Sequence, residues 1–353
     1  MSILFPKLPL VVQLEILKQL ELQEVFLLSL CSEKMKIVVQ CLNMKPTNLM
    51  YLLGENQVLV VATYDNNHNQ IDHDVVNVEF VPAIPSDEIK PMKLGGNRIS
   101  CRCIETSLKN MCSHSLQYLA QKEITVLESL QRHMKGLFRF KPSVQLELSS
   151  LQYINNIHII DDVTDTYFDV KELDTAQLEN FLTIYSVQNS VHLKAKLTGP
   201  LLESNSKLCS IKGLAVQGTQ DQNPRQQFSE VINNFCGEYL IFIDVVYDVN
   251  DWAQLIRRWK SKEAYHKLKF AYATPPDEVS IPFEHTMRQF DFVEWDGQRR
   301  PRTVKVDPKI IYLRLIYSED IDCTEWMDIQ QDGGGKWASV KVTQDFIRLV
   351  VWD

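Results

Sequence analysis

Residues 4 to 42 constrain the fold more than any other stretch, because they carry more apolar side chains than a short helical unit can bury. Pro9 suits the first turn of a helix, where its missing N–H costs nothing. At 3.6 residues per turn, Leu10, Leu14 and Leu17 share one face. Val12, Ile16 and Leu20 share a second face, roughly 100° or more away. A second helix is expected to carry Leu22, Val25, Phe26, Ser29 and Leu30. Ser32 can cap a third, with Met35, Val38, Cys41 and Leu42. Helices this short leave one apolar face over, and either a partner or the rest of the chain must cover it.

Within this stretch, Leu8-Pro9, Ile16-Leu17 and the run Leu28-Ser29-Leu30-Cys31-Ser32, followed by basic residues, resemble an F-box. Phe5-Pro6 and residues 26–32 are similar to the F-boxes of the large nematode F-box families. The resemblance implies docking on a Skp-type adaptor, and through it on a cullin-based ubiquitin ligase. The contact residues it implies are Leu8, Pro9, Val12, Ile16, Leu17 and Leu20. Two positions depart from the pattern. Val11 stands where an acidic residue often follows Leu-Pro, and Glu21 stands where aspartate is common, without the usual proline.

The chain has 353 residues, enough for a small module and a larger domain or two. A net charge of −8 argues against a nucleic-acid partner, which calls for a strongly basic domain. Eight cysteines without a regular framework suit reduced thiols, hence the cytoplasm or nucleus. The chain starts without a basic region and cleavable apolar run, and no segment approaches the roughly 20 apolar residues of a membrane helix. A soluble protein with no membrane partner is expected.

Residues 50–53 and 58–62 read as strands of a hairpin around Gly54-Glu55-Asn56-Gln57. Residues 65–73 read as a polar loop, 75–81 as a strand, and 82–97 as an extended connector rich in Pro and Gly. From 105 to about 133 the spacing is helical, through Leu108, Met111, Leu119, Ile124, Leu127 and Leu130. Short β-like runs then recur at 144–148, 154–160, 191–197, 211–216, 239–246 and 268–273. Thr175 and Asn250 are candidate caps of helices between them. Stacked strand-plus-helix units of roughly 20 to 30 residues bury each other's faces, so an irregular repeat-like sheet is expected.

Residues 250–269, with Trp252, Trp259 and Tyr265, resemble the type 2 F-box-associated domain of nematode F-box proteins, as do residues 186–193. The ending at 346–352 fits the same family. After Pro275-Pro276 the texture turns antiparallel, with Asp296-Gly297 as a hairpin signal and strands expected at 303–306, 310–316, 338–342 and 346–352.

Candidate chemistry is sparse. Cys101, Cys103, Cys112 and His114 look like zinc ligands, but each pair brackets a single residue, so buried thiols are the better reading. Gly333-Gly334-Gly335-Lys336 lacks the Ser or Thr of a phosphate loop and reads as a loop between strands. Asp161, Asp162 and Asp165 read as a turn rather than paired carboxylates, and His68, His73, Asp72 and Asp74 as a solvated loop. No metal, cofactor or catalytic residue is expected. The basic clusters at 257–262 and 299–305 are mainly solvated charge. Arg299, Arg300 and Arg302, after the hairpin turn, are the candidates for contact with a target protein.

The expected architecture is α+β. A three-helix F-box at 3–45 is followed by an irregular leucine-rich-repeat-like α/β domain at 46–274 and an antiparallel β region at 275–353. The expected role is that of a substrate-recognition subunit of a Skp–cullin–F-box type ubiquitin ligase. The alternative is an interaction scaffold without ligase association.

Overall fold

The computed structural model describes residues 5–66, 69–105, 114–138, 141–154, 160–218, 225–276, 288–305, 307, 310 and 320–352. The chain divides into two compact units, Met1–Val163 and Thr164–Asp353. Among the described residues no helix is long and apolar enough to cross a membrane.

The first unit opens with three helices, α1 (Leu10–Leu17), α2 (Leu22–Cys31) and α3 (Glu33–Gln40). Six strands follow: β1 (Asn48–Gly54), β2 (Gln57–Asn66), β3 (Asn69–Val81), β4 (Lys90–Leu94), β5 (Asn97–Glu105) and β6 (His114–Leu119). Helix α4 (Glu123–Leu137) and strand β7 (Ser143–Leu148) complete it, and the strands lie in the order β7-β1-β2-β3-β6-β5-β4. The expected hairpin is present, closed where Gly54 pairs with Gln57, and Asn56 takes a left-handed φ of 55° in its turn. On β1, alternate residues are buried, Leu49, Tyr51 and Leu53, as one half-covered sheet face requires.

Three expectations for this unit need correction. Residues 65, 66 and 69–73 are strand rather than loop: β2 and β3 extend as a long hairpin arm, with Thr63 opposite Asp72 and Tyr64 opposite Ile71. The span 82–97 is not a plain connector, because β4 and β5 pair across Gly95-Gly96. Gly95 takes φ +55°, and a Cβ there would lie 2.1 Å from the Ser129 carbonyl oxygen on α4, so only glycine permits this approach. The span expected to be helical contains β6 before α4 begins, while Leu108, Met111 and Cys112 lie outside the described residues.

The second unit is built on β8 (Val163–Asp174), β9 (Ser190–Thr198), β10 (Gly213–Gln217), β11 (Tyr239–Ile243) and β12 (Phe270–Ala273). These strands are parallel and lie side by side in chain order. Between them run α5 (Thr175–Ile184), α6 (Lys207–Ser210), α7 (Arg225–Asn234) and α8 (Val249–Lys260). Asp174 caps α5 and Asp248 caps α8, one and two residues before the expected Thr175 and Asn250. Strands β10 to β12 are buried on both faces, which explains their unbroken apolar runs. On one side Phe228 of α7 meets Phe242, their ring centroids 4.3 Å apart. On the other, Ile241, Phe270 and Tyr272 pack with Ile310, Ile321, Cys323 and Trp326.

The remaining strands are β13 (Val293–Glu294), β14 (Thr303–Val304), β15 (Ile321–Asp322), β16 (Met327–Gln330), β17 (Trp337–Val342) and β18 (Ile347–Val351). The sheet continues β12-β18-β17-β16-β13, all antiparallel, so the ladder runs on past residue 274. Strands β14 and β15 pair separately. Asp296-Gly297 does not close a hairpin: β13 pairs with β16, and the Asp296 carboxylate instead accepts from the backbone N–H groups of Gln298 and Arg299, both at 2.9 Å. The expected turn at Asp165 is likewise a strand. Asp165 is buried in β8 and accepts from Ser190 Oγ at 2.5 Å and Thr164 Oγ1 at 2.8 Å, and burial raises its pKa. Of the expected strands at 154–160 and 310–316, residues 155–159 and 311–316 lie outside the described residues, as does Val306.

Candidate functional site

Local chemistry explains how the three N-terminal helices are set. Pro9 takes φ −54° and ψ 144° just before α1, and its carbonyl accepts from Gln13 N at 3.1 Å. Glu21 and Glu24 form a reciprocal capping box at the start of α2. The Ser32 hydroxyl caps α3 by accepting from Met35 N at 3.1 Å, as expected.

Helices α2 and α3 are fixed to the rest of their unit. Val25, Phe26 and Leu30 of α2 are buried, with α2 packed on β3 and β4. Met35 and Val39 of α3 are buried, and α3 packs on α1 and α4. Gln40 Nε2 donates to the Gly136 carbonyl at 2.5 Å, and Lys93 pairs with Glu33 at 2.8 Å, which holds the Glu33 carboxyl below its ordinary pKa. The centre of this contact is His133 of α4, whose ring stands edge-on to Phe26. Its Nδ1 accepts from Gly95 N at 3.4 Å, so Nε2 carries the proton and donates to Ser29 Oγ at 2.8 Å; Ser29 in turn donates to the Phe26 carbonyl. Only a neutral imidazole satisfies this chain.

Burial, with the Lys36 charge nearby, pushes the His133 pKa down to about 4 from its ordinary 6.5. The folded chain therefore resists protonation that the unfolded chain accepts. The stability that depends on neutral His133 is complete above pH 6.5 and is lost as pH falls from there to about 4. At pH 5 the loss is about 2 kcal/mol. Urea titration of the first unit, followed by hydrogen exchange at α2 and α4, should show this decline, and His133→Gln should remove most of it. An unchanged pH profile in the variant would assign the decline to other groups.

Helix α1 is different. Six of its eight residues are apolar, yet it buries only Gln13 and Leu17. The Gln13 amide goes inside because its Nε2 donates to the Leu8 carbonyl at 2.7 Å. Facing out are Leu10 (49% exposed), Val11 (71%), Val12 (41%) and Ile16 (38%), an apolar row around the exposed Glu15–Lys18 pair, with nothing among the described residues of its own unit over it. Among the expected contacts, Val12 and Ile16 lie on this row and Pro9 is exposed at its start. Leu8 and Leu20 are half-buried. Leu17 is corrected: at 1% exposure it is a core residue of the module, with no surface to offer a partner. Leu10 and Val11 are not among the expected contacts; the spacing groups Leu10 on one face with Leu14 and Leu17, away from Val12 and Ile16.

The arginine cluster also needs correction. The Arg300 side chain is fully buried, its Nε donating to Asp328 Oδ1 at 2.8 Å and its Nη2 to the Cys323 carbonyl at 2.7 Å. Trp295 and Trp352 stack on it at 4.9 and 5.1 Å. Arg300 is therefore part of the core and cannot meet a target. Arg299 pairs with Asp296 at 3.2 Å and lies over Trp337, and Arg302 pairs with Asp322 at 2.7 Å. That pairing holds the Asp322 carboxyl well below the usual range. In the other cluster Arg258 pairs with Glu263, and Lys260 with Asp332.

Cys101 is buried, which pushes its thiol up to about 11. Cys103 is exposed, and Cys112 and His68 lie outside the described residues. Among the described residues no group of three or more His, Cys, Asp or Glu side chains could hold a metal ion. The glycines 333–335 form the loop between β16 and β17, where Gln331 Oε1 accepts from Lys336 N at 3.1 Å.

Residues 5–46 match the F-box domain family. No curated protein and no solved structure matches the chain. F-box domains typically bind Skp-type adaptors, and the domain is a mark of the adaptor subunits of Skp–cullin–F-box type ubiquitin ligases. The matched segment spans all three N-terminal helices and the exposed row on α1. The chain carries an F-box domain at its N-terminal end.

Proposed function

We propose that this chain is a non-enzymatic substrate receptor of a Skp–cullin–F-box type ubiquitin ligase, acting in the cytoplasm or nucleus. The exposed apolar row Leu10, Val11, Val12 and Ile16 carries this reading. It lies inside the matched segment, on a helix whose two companions are already seated on their own chain. The row meets the adaptor, with Pro9 beside it. The adaptor in turn meets a cullin, and the second unit holds the target protein near the ubiquitin-charged enzyme. Its work is to raise effective concentration rather than to make or break bonds itself. The parallel order of β8 to β12 with helices between them, and the resemblance of residues 186–193 and 250–269 to the type 2 F-box-associated domain of nematode proteins, support reading this unit as a leucine-rich-repeat-like holder of the target. Arg299 and Arg302 remain surface candidates there only through groups other than their paired charges.

The seating of α2 on β3 and β4, and of α3 on α4, favours a second reading, a scaffold that uses the helices only for its own stability. One experiment separates the two. The purified chain mixed with a purified Skp-type adaptor should form a complex of one copy each on size exclusion, with new exchange protection confined to α1. A folded chain that leaves the adaptor unbound at tens of micromolar would favour the scaffold. Deleting the F-box is a poor control, because α2 covers β3 and β4.

A further inference from the structure

We infer that the groove between the α1–α2 turn, the end of α3 and the β2–β3 arm binds a basic, apolar-flanked peptide segment of a protein other than the adaptor. The groove has a volume of about 830 Å³ and lies wholly in the first unit. That is near the upper end for ligand clefts, with room for a few residues of chain rather than one ammonium group. Leu20, Leu22, Leu42 and Met44 line it and are half-buried, so part of each remains open to contact.

Its electrostatics select a cation. Glu21, Asp72 and Asp74 stand on the lining, against Lys18 as the one ammonium there. The Lys18 nitrogen pairs with Glu15 at 2.7 Å, on the surface of α1 itself. The lining also takes in the residues just past the ends of α1 and α3, where helix dipoles add partial negative charge. The positive end of α2 is offset by its Glu21–Glu24 box. Tyr64, half-buried with its ring edge-on to His73, adds an aromatic wall on which a cation can rest. The exposed face of α1 is mostly apolar, its Glu15 and Lys18 paired with each other, whereas this groove is apolar and acidic. The two ask for different partners.

The first arm of the test uses the intact chain without any adaptor, so it can fail independently of the ligase reading. The probe is an acetylated and amidated pentapeptide of alternating leucine and lysine, with a counterpart carrying glutamine for lysine. Calorimetry should show binding of the basic peptide that weakens as salt is raised. Asp72→Asn with Asp74→Asn should weaken it about tenfold, while Glu55→Gln, on the distant β1–β2 turn, should not. The Asp72 variant keeps an oxygen for Thr63 Oγ1, which now donates to Asp72 at 2.7 Å, so the arm should stay folded. Equal binding of the glutamine peptide, or of the double variant, would overturn the inference. So would loss of peptide binding when adaptor saturates the chain, since the groove would then be part of the adaptor's own seat.

Discussion

Aspartate at Val12 and Ile16 together should weaken adaptor binding at least about a hundredfold and leave the free chain folded. Both residues are already more than a third exposed, so the free chain should lose less than about 1 kcal/mol. In the complex the same carboxylates would sit in an apolar contact with no partner, at a cost of several kcal/mol. Leu17→Ala is the informative contrast. Leu17 is buried, so its truncation should cost the free chain about 2–5 kcal/mol and lower complex formation only through folding. Calorimetry with a Skp-type adaptor and urea midpoints of the free variants supply the two axes. Undiminished binding by the double aspartate variant would remove α1 from the adaptor contact.

Removing Asp328 alone should destabilise the second unit by about 3–5 kcal/mol, because Arg300 would keep its charge in a site without solvent. The carboxylate is shared: Asp328 Oδ1 also accepts from Ser339 Oγ at 2.6 Å, and Ser339 accepts from Trp352 Nε1 at 2.7 Å. Asp328→Ala therefore loosens β16, β17 and the tryptophan after β18 at once. Replacing both charges with apolar residues, Arg300→Met with Asp328→Leu, should cost far less than either single change. All six tryptophans lie in the second unit, at 252, 259, 295, 326, 337 and 352, so their fluorescence follows its unfolding alone. Additive losses in the double variant would show that the pair contributes nothing as a pair.

What the sequence made legible follows the kind of burial each segment meets. Residues 211–216, 239–246 and 268–273 read as strands because apolar runs are what a doubly covered sheet needs, and β10 to β12 are there, whereas 191–197 alternates and β9 buries every second residue. The Gly54–Gln57 turn was readable from its own residues. The outer part of the β2–β3 arm was not, because Asp65, Asp72 and His73 are exposed and give no alternation to detect. Prolines and glycines in 82–97 hid β4 and β5, since Pro91 on an edge strand and Gly95 at a tight turn look like loop residues. In α1, apolar residues on nearly every side left periodicity unable to choose the inward face, and a glutamine went in. Nothing near Arg300 announces that it is buried; its partners come from Cys323 and Asp328, far along the chain.

Strand β18 follows every other strand of its sheet in sequence, yet it lies between β12 and β17. While the ribosome is still making residues 347–351, the open side of β12 has no neighbour and β17 has only β16. A nascent chain halted there would present two bare, apolar strand edges, a template for self-association. Messages cut short within the codons for residues 347–351 should therefore yield aggregates rather than a smaller folded chain.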